Sequence, residues 1–118
     1  MSSDIRSLPQ EASLQEAGQV MEKWKVGSLL LTDNHAYVGF ITDSALARAV
    51  VANGLNPATA VNVCMRKPVV AIEGNRPIIE AVRMMKDQAT RHLAVTQDGT
   101  IIGVISVSNI LRYYSGVV

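Results

Sequence analysis

Gly39-Phe40-Ile41-Thr42-Asp43-Ser44-Ala45-Leu46 and Gly103-Val104-Ile105-Ser106-Val107-Ser108-Asn109-Ile110 lie 64 residues apart and follow one pattern. Each has a glycine, two apolar residues, a hydroxyl residue in fourth place, a serine in sixth and an apolar residue in eighth. The same offset runs outward without a gap. Glu16-Ala17 falls on Glu80-Ala81, Met21 on Met85, Leu29 on Leu93, Thr32 on Thr96 and Arg48 on Arg112. Leu14 with Ile78 and Leu31 with Val95 keep their apolar character. A repeat in register through both halves sets the architecture before any single residue does.

Each half reads as strand, helix, strand, strand, helix. Ser13-Leu14-Gln15-Glu16 is a capping box, and Leu14, Ala17, Met21 and Trp24 follow at helical spacing as the core stripe. In the second half Pro77 suits a first helical turn, with Ile78, Ala81 and Met85 as the stripe. Strands are expected at 28–32 and 36–41 around the polar turn Asp33-Asn34-His35, and at 92–96 and 100–105 around Gln97-Asp98-Gly99. The run Leu29-Leu30-Leu31 predicts a strand buried on both faces. Closing helices are expected at 44–53, stopped by Gly54 and Pro57, and at 107–114. Short leading strands fall at 5–8 and 69–72. Each unit looks too small to bury its own core, so the two are expected to stack.

The two glycine motifs, Met65 ahead of the second half and Glu-Ala in both first helices resemble a tandem pair of CBS (cystathionine beta-synthase) domains, a Bateman module. The resemblance covers essentially the whole chain. It implies an α+β (α/β-like) fold in which β-α-β-β-α repeats, 1–58 and 59–118, pack pseudo-symmetrically into a single module spanning 1–118. Met1 falls on Met65, so the segment preceding this point in the family is absent, as in a shortened chain or a piece of a longer one.

In that family, clefts between paired repeats hold adenosine-containing ligands. The resemblance implies a sensor of AMP or ATP, with ADP in the same class and NAD or S-adenosylmethionine behind them. The glycine would let a ligand approach the backbone, and the hydroxyl residue at the helix start would meet a phosphate. The acid that holds the ribose is replaced by Ala45 and Asn109. Alanine offers no hydrogen bond, whereas asparagine keeps an acceptor and two donors at a cost of ~1 kcal/mol against a charged acceptor. The favoured cleft would therefore use Val104, Ser106, Ser108 and Asn109, with Asp4, Ile5 and Arg6, Val26, Gly27 and Ser28, and Arg91 and His92. Arg91 and His92 serve equally well as surface residues, and Ser108 as a helix cap. A second cleft would use Thr42, Ser44, Val69, Val70 and Ala71.

Composition narrows the alternatives. A net charge of +1 gives no electrostatic grip on nucleic acid or membrane, and no apolar run approaches the ~20 residues of a membrane span. A cytoplasmic protein is expected. The single cysteine, Cys64, sits in an apolar setting and reads as a buried inert thiol. His35 and His92 have no partner at metal-ligand or catalytic spacing, so neither an enzyme nor a metal site is expected and no cofactor is required. Small residues Ala45, Ala49 and Ala52 would allow close helix contact in a homodimer, and an effector protein would read the ligand state. The alternative is a degenerate pair serving as a dimerisation or docking scaffold without ligand.

Overall fold

The 64-residue offset holds at the first residue of every strand and α-helix. A computed structural model of the chain describes residues 5–115, with side chains to residue 111. Strands β1 (Ser7–Pro9), β2 (Ser28–Asp33) and β3 (Ala36–Thr42) recur as β4 (Ala71–Glu73), β5 (His92–Gln97) and β6 (Thr100–Ser106). Helices α1 (Leu14–Trp24) and α2 (Asp43–Ala47) recur as α3 (Ile78–Asp87) and α4 (Val107–Ser115). In each three-stranded sheet the leading strand runs parallel to the middle one, which pairs antiparallel with the third.

By their contacts the residues form two units. The first is Arg6–Val69; the second holds Ile5 and the residues from Val70 onward. Residues 60–66 hydrogen-bond within the first unit: Val61 N–H donates to Ala12 O, and Phe40 and Arg66 exchange bonds of 2.9 and 2.8 Å.

Each unit carries its own apolar cluster, which differs from the expectation that a half cannot bury a core. In the first, Leu14, Ala17 and Met21 of α1 meet Leu29, Leu31 and Ile41 of the sheet, with Ala49 and Val61. In the second, Ala81 and Met85 meet Leu93, Val95 and Ile72, with Ile110 of α4. Helices laid on one sheet face make a two-layer core at this size. Leu30 is buried between Leu29 and Leu31, so the strand is covered on both faces, as its sequence predicts.

Several local details depart from expectation. Trp24 is 44% exposed, because α1 ends there and Lys25 turns left-handed; its ring lies under the Arg6 guanidinium, 3.6 Å from the centroid. The closing helix of the first unit is α-helical only to Ala47, then widens into a π-helical turn over Arg48–Ala52, and Gly54 at φ 69° follows. Ala49 in that turn is buried in its own unit's core, so it is not available for a helix-to-helix contact with a second chain. Pro77 is the N-cap of α3 rather than part of its first turn. Cys64 is half-buried against the first cluster. The leading strands begin two residues later than predicted, although Arg6 O and Val70 O already accept from Leu30 and Ala94.

The turns follow backbone chemistry. Asn34 and His35, and Asp98 and Gly99, all have positive φ, the two-residue geometry that suits the twist of a hairpin. The Ser13 half of the capping box forms, with Glu16 N–H donating to Ser13 Oγ at 3.0 Å. Helix α3 ends with Ala89 N–H on Lys86 O and Thr90 N–H on Met85 O, a Schellman closure whose left-handed residue is alanine at φ 51°. Relieving that strain with Ala89→Gly is expected to raise stability by about 0.5 kcal/mol, after the entropy glycine adds to the unfolded chain. Urea unfolding of the two proteins measures the difference.

Candidate functional site

The two strand-to-helix junctions share one backbone frame and differ in their side chains. At the first, Asp43 N–H donates to Gly27 O at 2.9 Å, and Ser28 sits opposite Thr42. At the second, Val107 N–H donates to Arg91 O at 3.0 Å, and His92 sits opposite Ser106. The hairpin thus delivers the start of its middle strand to the start of the closing helix in both units. A bulge precedes each motif glycine: Val38 and Ile102 are passed over where the register shifts. Bulges of this kind re-aim the strand end that follows them.

In the first unit, Thr42 caps α2, with its Oγ1 accepting from Ala45 N–H at 3.2 Å and lying 3.2 Å from Ser44 Oγ. Ser44 N–H donates to Asp43 Oδ1 at 2.8 Å. The hydroxyls and the carboxylate are used locally, and Ala45 adds only a methyl group.

In the second unit the cap is reciprocal. Asn109 Oδ1 accepts from Ser106 N–H at 3.0 Å and from Ser106 Oγ at 3.1 Å, while Asn109 N–H donates to Ser106 Oγ at 3.2 Å. The amide orientation is fixed by chemistry, because a backbone N–H can face only the oxygen. Asn109 Nδ2 donates to no described residue. Asn109 itself is half-buried.

The residues singled out from the sequence distribute as follows. Ile5, Arg91, His92, Val104, Ser106, Ser108 and Asn109 belong to the second unit, and Arg6, Val26, Gly27 and Ser28 to the first. Of the second set, Thr42, Ser44 and Val69 belong to the first unit, and Val70 and Ala71 to the second. Asp4 lies outside the described residues. Val104 is opposite Ala94, and Ala94 is opposite Ala71, so these three form one row across the second sheet beside the Ser106 junction. Ser108 is exposed on the first turn of α4.

Sequence reasoning missed Thr90. It is buried, its Oγ1 donates to His92 O at 3.0 Å and accepts from His92 N–H at 3.3 Å, and so it fixes the bend carrying Arg91 and His92. Its counterpart at the 64-residue offset is Val26, and this loss of symmetry was the available signal. The first motif glycine also makes room within the chain itself. A Cβ on Gly39 would lie 2.8 Å from Arg66 O and 2.9 Å from Met65 Sδ, so the glycine admits this chain's own backbone.

Among the described residues no three His, Cys, Asp or Glu side chains gather as a metal site would require. No helix among them is long and apolar enough to cross a membrane.

Comparison with known proteins gives a consistent result. The family model described as CBS domain matches residues 1–52 and 60–116. An uncharacterized protein of Methanopyrus kandleri, MK0525, is 28% identical over 92% of the chain, which spans 56% of that relative's length. A crystal structure of an uncharacterized conserved protein from Pyrococcus horikoshii superposes with a TM-score of 0.89 at 29% identity, covering 97% of this chain and 87% of that one. The CBS domain pair of protein MJ0100, solved with 5′-methylthioadenosine and S-adenosyl-L-methionine, has a TM-score of 0.87 at 21% identity, covering 100% and 94%.

Proposed function

The chain belongs to the CBS-domain family, and from that membership we propose that it is a regulatory module holding an adenosine-containing ligand at the Ser106–Asn109 junction. The observation that carries this reading is the asymmetry between the junctions. At the first junction Thr42 and Ser44 hydrogen-bond locally beside the methyl of Ala45, whereas at the second Asn109 brings a side-chain amide that closes a reciprocal cap with Ser106 at the start of α4. The helix dipole at that terminus favours an anionic group, and His92 lies across the strand pair from Ser106. The methylthioadenosine and S-adenosylmethionine held by the MJ0100 pair support adenosine as the common moiety. AMP or ATP fits the phosphate-attracting helix start better than either of those two.

In this reading the module catalyses nothing and acts in the cytoplasm. It associates as a homodimer and passes its ligand state to an effector protein. The ribose would bind chiefly through Asn109, with Val104 and Ala71 among the apolar residues beside the adenine. Thr42, Ser44 and Val69 would make the weaker site.

Thermal unfolding against AMP, ADP, ATP, NAD and S-adenosylmethionine tests the proposal. A ligand at 100 times its Kd stabilises the native state by about 2.7 kcal/mol, a rise in Tm of several degrees for this size. At least one adenosine nucleotide is expected to produce it. No shift with any of the five at millimolar concentration would favour a scaffold that binds proteins rather than nucleotides.

A further inference from the structure

We propose that the outer face of α3 joins this chain to a second copy of itself, second unit to second unit, in an antiparallel two-fold contact. The inference rests on the homodimer proposed above and assigns its interface. Ile79 and Val82 stand on that face, 61% and 41% exposed, while Ile78, Ala81 and Met85 of the same helix pack into the core. At the 64-residue offset their counterparts on α1 are Gln15 and Gly18. At these two places, therefore, only the second unit turns an apolar side chain outward.

The charges beside them point to the occupant. Arg76, Glu80, Arg83 and Asp87 recur at i, i+4, i+7 and i+11, the spacing of a single stripe along a helix. Arg83 and Asp87 are exposed, and Arg76, just ahead of the helix, is held over its first turn with Nε 3.8 Å from Glu80 Oε2. The order basic, acidic, basic, acidic is its own complement when reversed. Laid antiparallel across a two-fold axis between Ala81 and Val82, Arg76 comes level with Asp87 of the partner subunit. Glu80 comes level with Arg83 of the partner subunit, and symmetry repeats both pairs. Val82 then meets Val82 of the partner subunit at the axis, flanked by Ile79. Lys86 comes level with Pro77 of the partner subunit and so faces no like charge. A parallel pair would set each charge against its like. The matching stripe on α1, Ala12, Glu16, Gln19 and Lys23, has no such self-complementarity. Exposed ion pairs add little affinity, so the apolar residues supply the attraction and the charges fix its direction.

Sedimentation equilibrium of the full chain as wild type, Glu80→Arg and Arg83→Glu tests the pairing. Wild type is expected to dimerise. Each reversal sets like charges against each other at two symmetry-related places, and the dimer Kd should rise about tenfold or more. Mixed in equal amounts, the two variants are expected to pair with each other about as tightly as wild type, because each then carries the charge that the other lacks. A wild-type dimer that neither reversal weakens would overturn the proposal and leave the homodimer standing on another face. Weakening of both variants with no recovery in the mixture would overturn it as well. A wild type that stays monomeric at millimolar concentration fails the homodimer reading, and this inference fails with it. Circular dichroism of each variant separates lost pairing from lost fold.

Discussion

Leu31→Ala is expected to lower the free energy of unfolding by about 3–4 kcal/mol. Leu31 is fully buried in the middle strand of the first sheet, between Leu8 of β1 and Gly39 of β3. It packs with Leu14, Ala17 and Met21 of α1. Removing its isobutyl group loses the transfer energy of those atoms and leaves a cavity, because neighbours held in a sheet collapse poorly; such changes cost ~2–5 kcal/mol. Position therefore matters more than residue type. Val51, 83% exposed, should change by less than about 0.5 kcal/mol when cut to alanine. Chemical denaturation of both variants checks the contrast, and equal losses would contradict the core described above.

Gly39→Ala is expected to cost about 2–3 kcal/mol, although it adds only one methyl group. The new Cβ would meet Arg66 O at 2.8 Å and Met65 Sδ at 2.9 Å. Arg66 and Phe40 exchange two backbone hydrogen bonds at this point, so the methyl group must push away a segment tied on both sides. Overpacking costs ~1–3 kcal/mol, and each hydrogen bond lost or stretched adds up to ~1 kcal/mol. The two obstacles differ in stiffness. A methionine side chain can swing aside, but a hydrogen-bonded carbonyl cannot. Adding Met65→Ala to Gly39→Ala should therefore restore only part of the loss, as measured by a double-mutant cycle. Full restoration would show that sulfur alone is the obstacle.

These two residues mark what was legible in the sequence and what was not. Leu31 is visible as part of an apolar run at a strand position, and the 64-residue offset gave the order and phase of every element. Both hairpins and the capping box also follow from local chemistry, because a turn or a cap is decided within a few residues. Gly39 shows the limit. Its place in a motif was clear, but the atom it makes room for lies some 25 residues on in sequence, in a segment with no periodic signal. Trp24 was misplaced for a related reason. Helical spacing put it on the stripe, but a helix face is core only where a sheet lies under it, and α1 ends at this residue. The widened turn at Arg48–Ala52 has no marker among its alanines and valines. At the candidate site the residue types were readable, including the exchange of acid for Asn109. That its oxygen would cap its own helix required coordinates.

We propose that the second junction binds an adenosine ligand and the first does so weakly or not at all. The most direct measurement is calorimetric titration of the nucleotide giving the largest thermal shift into wild type, Ser106→Ala and Thr42→Ala. Each variant loses a comparable helix-capping hydroxyl, worth ~1 kcal/mol of stability, so the two are matched in their cost to the fold. Affinity is expected to fall about tenfold or more in Ser106→Ala, where the cap that orients Asn109 is broken, and to stay within about twofold of wild type in Thr42→Ala. Equal affinities in all three proteins, or a loss confined to Thr42→Ala, would contradict it.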